Sequence, residues 1–348
     1  MWCMLASLPS PRTPDPHSAP PLRWGILGTG GIAGRMVDAL RYHTRQTVVA
    51  VGSRSHDRAQ QFASDKGIPR SCDSYERLVA DPNVDIIYVA SPHSEHAAHA
   101  LLALQAGKPV LVEKAFTRNW NEASQVVATA KEAQLLVMEA IMTRFTPAID
   151  ILRQLVENGD LGTIDMVIAD HGQNLVHVPR LVQPELAGGA LLDLGIYCVQ
   201  LAVMVGGLPE RVSAIGACTD TGVDAHVSIS CDGFQKAPQM MAALQTTMLA
   251  STATTAVVTG SQARVQLSCP FTSGGLALRY IPRDGEVLES PMPAITGAQA
   301  LCYEAAHFAQ LVADGQTDSP IMPADESVAI MGLLDDVRSQ VGVRYPGE

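Results

Sequence analysis

LRWGILGTGGIA, Leu22 to Ala33, is the stretch that decides the fold. An apolar run ends in Gly28-Thr29-Gly30-Gly31-Ile32-Ala33, a GxGxxA turn, and a helical period follows to about His43. Strand, glycine turn and helix in that order are the entrance to a dinucleotide-binding domain. The glycines permit a tight turn and let the backbone approach a pyrophosphate at the helix N-terminus. Gly28, Gly30, Gly31, Ile32 and Ala33 are therefore expected to cradle a cofactor.

The same alternation continues outward. QTVVAVGSR, VDIIYVASP, PVLVEKA and LLVMEA read as strands. HDRAQQFASDKG, the SEHAAHALLALQAGK segment capped by Ser94, and residues 121–133 read as the helices between them. Apolar strands alternating with helices give a parallel sheet covered on both faces. After Met142 the pattern changes. Two helices, about 147–158 and 191–205, go with seven strands that have few helices between them, which predicts mostly antiparallel pairing. Two helices, 303–312 and 324–341, close the chain. The expected fold class is α/β: an N-terminal Rossmann domain over 22–141, then an α+β domain over 142–348 with an open, mostly antiparallel sheet.

Composition narrows the function. The chain has 348 residues, 47% apolar and 17% charged, which suits two globular domains. A net charge of −11 argues against nucleic acid or an anionic membrane as the main partner. Seven scattered cysteines with no CxxC pair read as free thiols in a reducing compartment, taken as the cytoplasm. Residues 1–21 hold six prolines and no helical period, and are expected to be a disordered extension without a secretory signal. The apolar run 190–208 is as long as a membrane span, but it carries Asp193 and Gln200 and reads as a buried helix.

Several positions carry chemistry. The second strand ends Gly52-Ser53-Arg54, with Arg58 four residues on. An NAD site places an acidic residue here for the ribose hydroxyls; a hydroxyl and two guanidinium groups suit a 2′-phosphate instead, which points to NADP(H). Ser91-Pro92-His93-Ser94-Glu95-His96 follows the third clear strand at the carboxyl edge, where α/β sheets bind ligands. With no HExxH and no convergent carboxylates, His93, His96 and His99 do not make a metal site. Val112-Glu113-Lys114-Ala115 ends the next strand at that edge. Lys114, oriented by Glu113, can lower the pKa of a neighbouring phenol, or the two can be an ordinary surface ion pair. In GGALLDLGIYCVQL, 188–201, Asp193 and Tyr197 lie four apart and share one face of a regular helix.

In order along the chain, GTGGIA, SRSHDR, PHSEH, LVEKA, MEAIMTRFTPAI and GGALLDLGIYCVQ resemble the glucose–fructose oxidoreductase and inositol dehydrogenase (Gfo/Idh/MocA) family. DHGQNLVHVPRLVQPELAGGALLDLGIYCVQ, TGVDAH, YEAAHFAQLVADG and SPIMPADES are closest to its dihydrodiol dehydrogenase branch, whose members also oxidise D-xylose with NADP. The likeness runs from about Leu22 to the end. It implies an open-faced sheet that mediates a homodimer. It places Tyr197, Lys114 and Asp193 in the catalytic centre, and Arg54 and Arg58 on the 2′-phosphate. It also sets Ser53, Ser91, Pro92, His93, His96, Glu113 and Arg144 near the cofactor, and Met142, Asn174 and Arg180 near the substrate. Arg144 and Arg180 are equally read as structural ion pairs.

Two departures matter. Ala115 replaces the proline of the family's Glu-Lys-Pro, and Met142 stands where relatives have Trp, exchanging a flat wall for a flexible thioether. The implied chemistry is hydride transfer from a sugar or diol carbon, with Tyr197 as acid/base. Its phenol starts near pKa 10 and must be lowered by Lys114 and a dry site. A non-catalytic NADP-binding sensor and a keto-sugar reductase are the competing readings. A sensor has no need of the proton-transfer residues.

Overall fold

The structure, a computed structural model, describes residues 5–348. The chain runs β1 (Arg23–Leu27), α1 (Gly31–His43), β2 (Thr47–Gly52), α2 (His56–Lys66), β3 (Arg70–Cys72), α3 (Tyr75–Val79) and β4 (Ile86–Val89). It continues through α4 (His96–Gln105), β5 (Val110–Glu113), α5 (Trp120–Ala133), β6 (Val137–Ala140) and α6 (Pro147–Glu157). Next come β7 (Ile164–Gly172), α7 (Ile196–Gly206), β8 (Arg211–Cys218), β9 (Asp224–Asp232) and β10 (Met241–Thr247). The last elements are β11 (Ala256–Gly260), β12 (Ala263–Leu267), β13 (Leu278–Pro282), β14 (Leu288–Glu289), α8 (Leu301–Ala313) and α9 (Ala324–Val341).

Two compact units emerge, each built from separated segments. One takes residues 14–145 and 297–331. Its sheet has the order β3-β2-β1-β4-β5-β6, every pair parallel. β4, β5 and β6 are buried along their whole length, as strands covered on both faces must be. The order reverses between β1 and β4, and the carboxyl edge of this switch point is where such sheets take ligands. The expected boundary at Met142 leaves out one fact: the late segment 297–331, with α8, belongs to this unit. Phe308 of α8 packs its ring 6.1 Å from that of Trp24 on β1.

The other unit takes residues 146–296 and 332–348, with the chain up to Thr13. Its eight-stranded sheet has the order β14-β13-β12-β11-β7-β10-β9-β8. Pairing is antiparallel except for β7 with β10, which are parallel. Burial alternates along β9 and β10, so one face is covered and the other open. Ile168, Ile215 and Met241 stand exposed on the open face. The long apolar helical stretch, 184–206, is 89% buried over its most apolar window.

Three local expectations are corrected. The proline-rich extension is anchored, not disordered, over its described part. Arg12 pairs with Asp150 at 2.9 Å, Gln154 donates to the Ser10 carbonyl, and Arg45 and Gln46 donate to carbonyls of residues 18–20. Prolines forbid a regular element but not tertiary hydrogen bonds. Its first four residues, with Cys3, lie outside the described residues. Second, Ser94 does not cap a helix: a single 3₁₀ turn, His93–Glu95, precedes α4, and the Ser94 hydroxyl donates to Glu95 at 3.3 Å. Third, β3 and α3 intervene before β4, too short to show a period.

Candidate active site

In the nucleotide unit the glycine turn joins β1 to α1. Gly28 has φ +114°, and a Cβ there would come within 2.7 Å of the Ala90 carbonyl, so only glycine fits. Gly30 is the N-cap of α1 and brings no side chain to its first amides, and nothing lies within 4 Å of the place a Gly31 Cβ would take. Uncapped amides facing open space at a helix N-terminus are what a pyrophosphate needs. Ala33 is buried against the sheet and Ile32 is half-buried. The residues present fit a dinucleotide.

At the end of β2 the buried Ser53 hydroxyl accepts from the Ser55 amide at 3.2 Å, and Ser55 in turn caps α2 through the Arg58 amide. Arg54 and Arg58 are exposed. Arg54 also hydrogen-bonds Tyr75 of α3, whose ring packs edge-on to His99 at 4.5 Å. Tyr75 was outside the sequence reading because α3 is only five residues long.

The edge after β4 is fixed by histidines. His96 is buried with both ring nitrogens 2.8 Å from carbonyl oxygens, those of Ser91 and Ala115, so it ties the β4 loop to the β5 loop. Burial pushes its pKa down. His99 reaches the Ser91 hydroxyl at 2.9 Å, and burial holds it at about 4, so it is neutral at pH 7. His93, beside Pro92, packs edge-on to His96 at 5.5 Å. Glu113, buried at the end of β5, accepts a hydrogen bond from the Tyr88 hydroxyl of β4. Lys114 follows it, half-buried, and its peptide bond to Ala115 is cis. Met142 is half-buried in a short turn. The next-but-one residue, Arg144, is buried and ion-paired to Glu326 at 2.6 Å; of its two readings the structural one has this geometry behind it.

In the sheet unit the site centres on the entry to α7. Leu191–Gly195 is a π-helical turn, and α7 proper begins at Ile196. The expected regular helix through 191–205 therefore starts wider. Asp193 lies in this wider turn and Tyr197 in the first turn of the regular helix that follows. Asp193 is buried and accepts from Arg180 at 3.0 Å. Tyr197 is half-buried, its ring 5.4 Å from that of His171 on β7. His171 Nδ1 lies 3.2 Å from the Leu194 carbonyl, which can only accept; Nδ1 therefore carries the proton and Nε2 accepts from Gln173 at 3.0 Å. Sequence reasoning did not single out His171, which sits in an ordinary alternating strand. Asn174 and Arg180 are exposed on the following loop.

The turn is held from below by Asp224. Its Oδ2 accepts the Leu191 amide at 2.6 Å, while Gly189, with φ +115°, leaves room for the carboxylate. Tyr345 donates to the Gly188 carbonyl at 2.7 Å.

A family model described as an oxidoreductase family with an NAD-binding Rossmann fold matches residues 22–141, and its C-terminal domain model matches 149–266. The chain belongs to the Gfo/Idh/MocA oxidoreductase family. Within this family it is 37% identical to human trans-1,2-dihydrobenzene-1,2-diol dehydrogenase over 336 residues, 93% of this chain and 98% of that protein. The mouse protein of the same name is 35% identical over 335 residues, with the same shares covered. Among solved structures, a 3-ketoreductase from Actinomadura kijaniata, in complex with NADP and TDP-benzene, superposes with a TM-score of 0.81 at 27% identity, covering 92% of this chain and 98% of that one. An aldose-aldose oxidoreductase from Caulobacter crescentus shares the fold, with a TM-score of 0.82 at 24% identity, covering 93% and 98%. As a Gfo/Idh/MocA member with dehydrogenase relatives across its length, the chain is an oxidoreductase acting on CH–OH groups with an NAD(P) cofactor.

Proposed function

We propose that the chain is an NADP-dependent dehydrogenase that moves hydride between the nicotinamide and a secondary or anomeric hydroxyl of a trans-dihydrodiol or a D-xylose-like sugar. One observation carries the reading: the 37% identity to a dihydrodiol dehydrogenase runs over 336 residues and so through both units. NADP is favoured over NAD by Arg54 and Arg58, exposed at the end of β2 with no acidic residue between Gly52 and Ser55. Pro92, His93, His96 and Glu113 shape the edge on which the cofactor would lie.

Bound there, the nicotinamide supplies a hydride acceptor. Tyr197 takes the hydroxyl proton. Lys114 lowers the phenol toward neutrality and donates a hydrogen bond to the reacting oxygen. Asp193, steadied by Arg180, orients the substrate, and Met142, Asn174 and Arg180 contact it. The exposed apolar residues of the open sheet face suit self-association as a homodimer. Six free cysteines among the described residues suit a reducing, cytoplasmic setting. The same residues run in reverse would reduce a keto-sugar, a second reading favoured by the similarity to a 3-ketoreductase.

The test is NADP reduction followed by absorbance with D-xylose, D-glucose and a trans-dihydrodiol, NAD run in parallel. Tyr197→Phe should lower the rate by roughly 10²–10⁴ while NADPH still binds. Tight NADPH binding with no turnover on these substrates, nor on a keto-sugar with NADPH, would replace the enzyme by a sensor.

A further inference from the structure

Glu304, in the first turn of α8, has no role in the chemistry above, yet it is a carboxyl group with no exposed surface. Both of its oxygens are buried without a hydrogen-bond donor. Its position follows from the sheet register. Trp24 pairs with Ile86 and Ile26 with Tyr88, so Trp24 and Tyr88 face the same side. Tyr88 pairs with Leu111, and Glu113 lies two residues on, again on that side. Phe308 packs on Trp24, which sets this face of α8 against the same layer, and Glu304 is one helical turn before Phe308. Glu304 and Glu113 thus share one buried layer at the end of β5.

The titratable groups acting on Glu304 are Glu113 of β5, on its own side of the sheet and bonded by Tyr88 of β4, and Glu139 of β6, which pairs with Val112 and so belongs to the other side. Glu139 accepts the Phe116 amide at 3.0 Å and the Ser327 hydroxyl at 3.1 Å, and so is suited to ionisation. Other charged groups near α8 have partners of their own: Arg144 is on Glu326, Asp15 lies by Cys302 and Tyr303, and His307 is on Ser319. A fully buried carboxyl with no donor and no cation acting on it, and with two carboxyl groups near it, is held protonated. Glu113 and Glu139 have donors. Glu304 does not.

We propose that Glu304 is a neutral carboxylic acid that donates its O–H to the Glu113 carboxylate, and that this buried pair is a positioning device for Lys114. The inference rests on the reading of Lys114 given above. Glu113 is then held from two sides, by the Tyr88 hydroxyl and by Glu304, and the backbone that carries Lys114 leaves the sheet from a fixed point. Burial first, then the two neighbouring carboxylates, raise the pKa of Glu304 well above its ordinary value. An ionised Glu304 would repel Glu113 and loosen the origin of Lys114.

The test compares wild type, Glu304→Gln, which keeps a donor but no titration, and Glu304→Leu, which keeps neither. Melting temperature against pH requires no turnover. A raised folded pKa stabilises below the ordinary carboxylate range, and that contribution is lost as pH rises; wild type should therefore fall relative to Glu304→Gln between pH 4.5 and 8.5. A constant difference overturns the buried proton. Competitive labelling of Lys114 with acetic anhydride, read by mass spectrometry across pH, also requires no turnover. Its profile should shift in Glu304→Leu and return toward wild type in Glu304→Gln. An unchanged profile in Glu304→Leu overturns the positioning role, even if wild type oxidises every substrate offered. With turnover established, kcat should drop roughly tenfold in Glu304→Leu, with KM for NADP unchanged. A wild type without turnover would fail the dehydrogenase reading alone, since melting and labelling still decide on Glu304.

Discussion

Arg54 and Arg58 show what single side chains can declare. Both stand at the end of β2, where a site for NAD carries an acid, and the proposed preference for NADP rests on them. Both are exposed, as a 2′-phosphate contact in the free protein should be. Arg58→Ala should raise KM for NADP about tenfold and leave KM for NAD within a factor of two, measured by initial rates. Equal effects on both cofactors would remove the 2′-phosphate from the account. Other single residues were illegible. Glu304 and His171 announce themselves only through burial and partners, which the local sequence does not encode: one sits in an amphipathic helix, the other in an alternating strand. Arg144 was legible as a charge, but its pairing with Glu326, far along the chain, was not.

At the scale of elements, the turn that leads into α7 is the unusual one. GGALLDLGIYC was readable as glycine turn plus buried helix, but its π-winding was not, because the apolar pattern is the same for either winding. Asp224 of β9 holds its first amide. Burial pushes this carboxyl up to about 6. The folded state therefore favours the proton: the stabilisation is complete below the unfolded range near 4 and is lost as pH rises through 6. The difference in unfolding free energy between wild type and Asp224→Asn, from urea titration, should shift by about 2 kcal/mol against wild type between pH 4.5 and 7. A flat difference would mean that Asp224 ionises freely. Long periodic elements were legible nearly to the residue, α1 and α2 among them. The three residues of β3 and five of α3 are too few to display a period, and the parallel pairing of β7 with β10 depends on a long-range return.

For the whole molecule, the open sheet face is the feature with the plainest physical demand. Ile215 is 76% exposed, and Ile168 and Met241 stand on the same face, where the registers Ala243–Ile168, Ala243–Ser230 and Ser213–Ser230 align them. Ile215→Glu should convert a dimer to a monomer in light scattering while leaving the melting temperature within a few degrees. A wild-type monomer at micromolar concentration would place the dimer elsewhere or nowhere. The division into units was partly legible: the change of pattern after Met142 marks where the first sheet ends. It could not reveal that residues 297–331 return to that first unit, because no local signal says which sheet a late helix joins.

That return has a consequence for synthesis. Trp24 is among the first side chains of the nucleotide unit to leave a ribosome, and it is wholly buried, with Phe308 against its ring. Until α8 emerges, long after β1, the Trp24 indole lacks the Phe308 ring that packs on it. The nucleotide unit thus begins its core with one stretch of chain and completes it with a stretch made much later. During that interval the nascent chain is a natural client for chaperones.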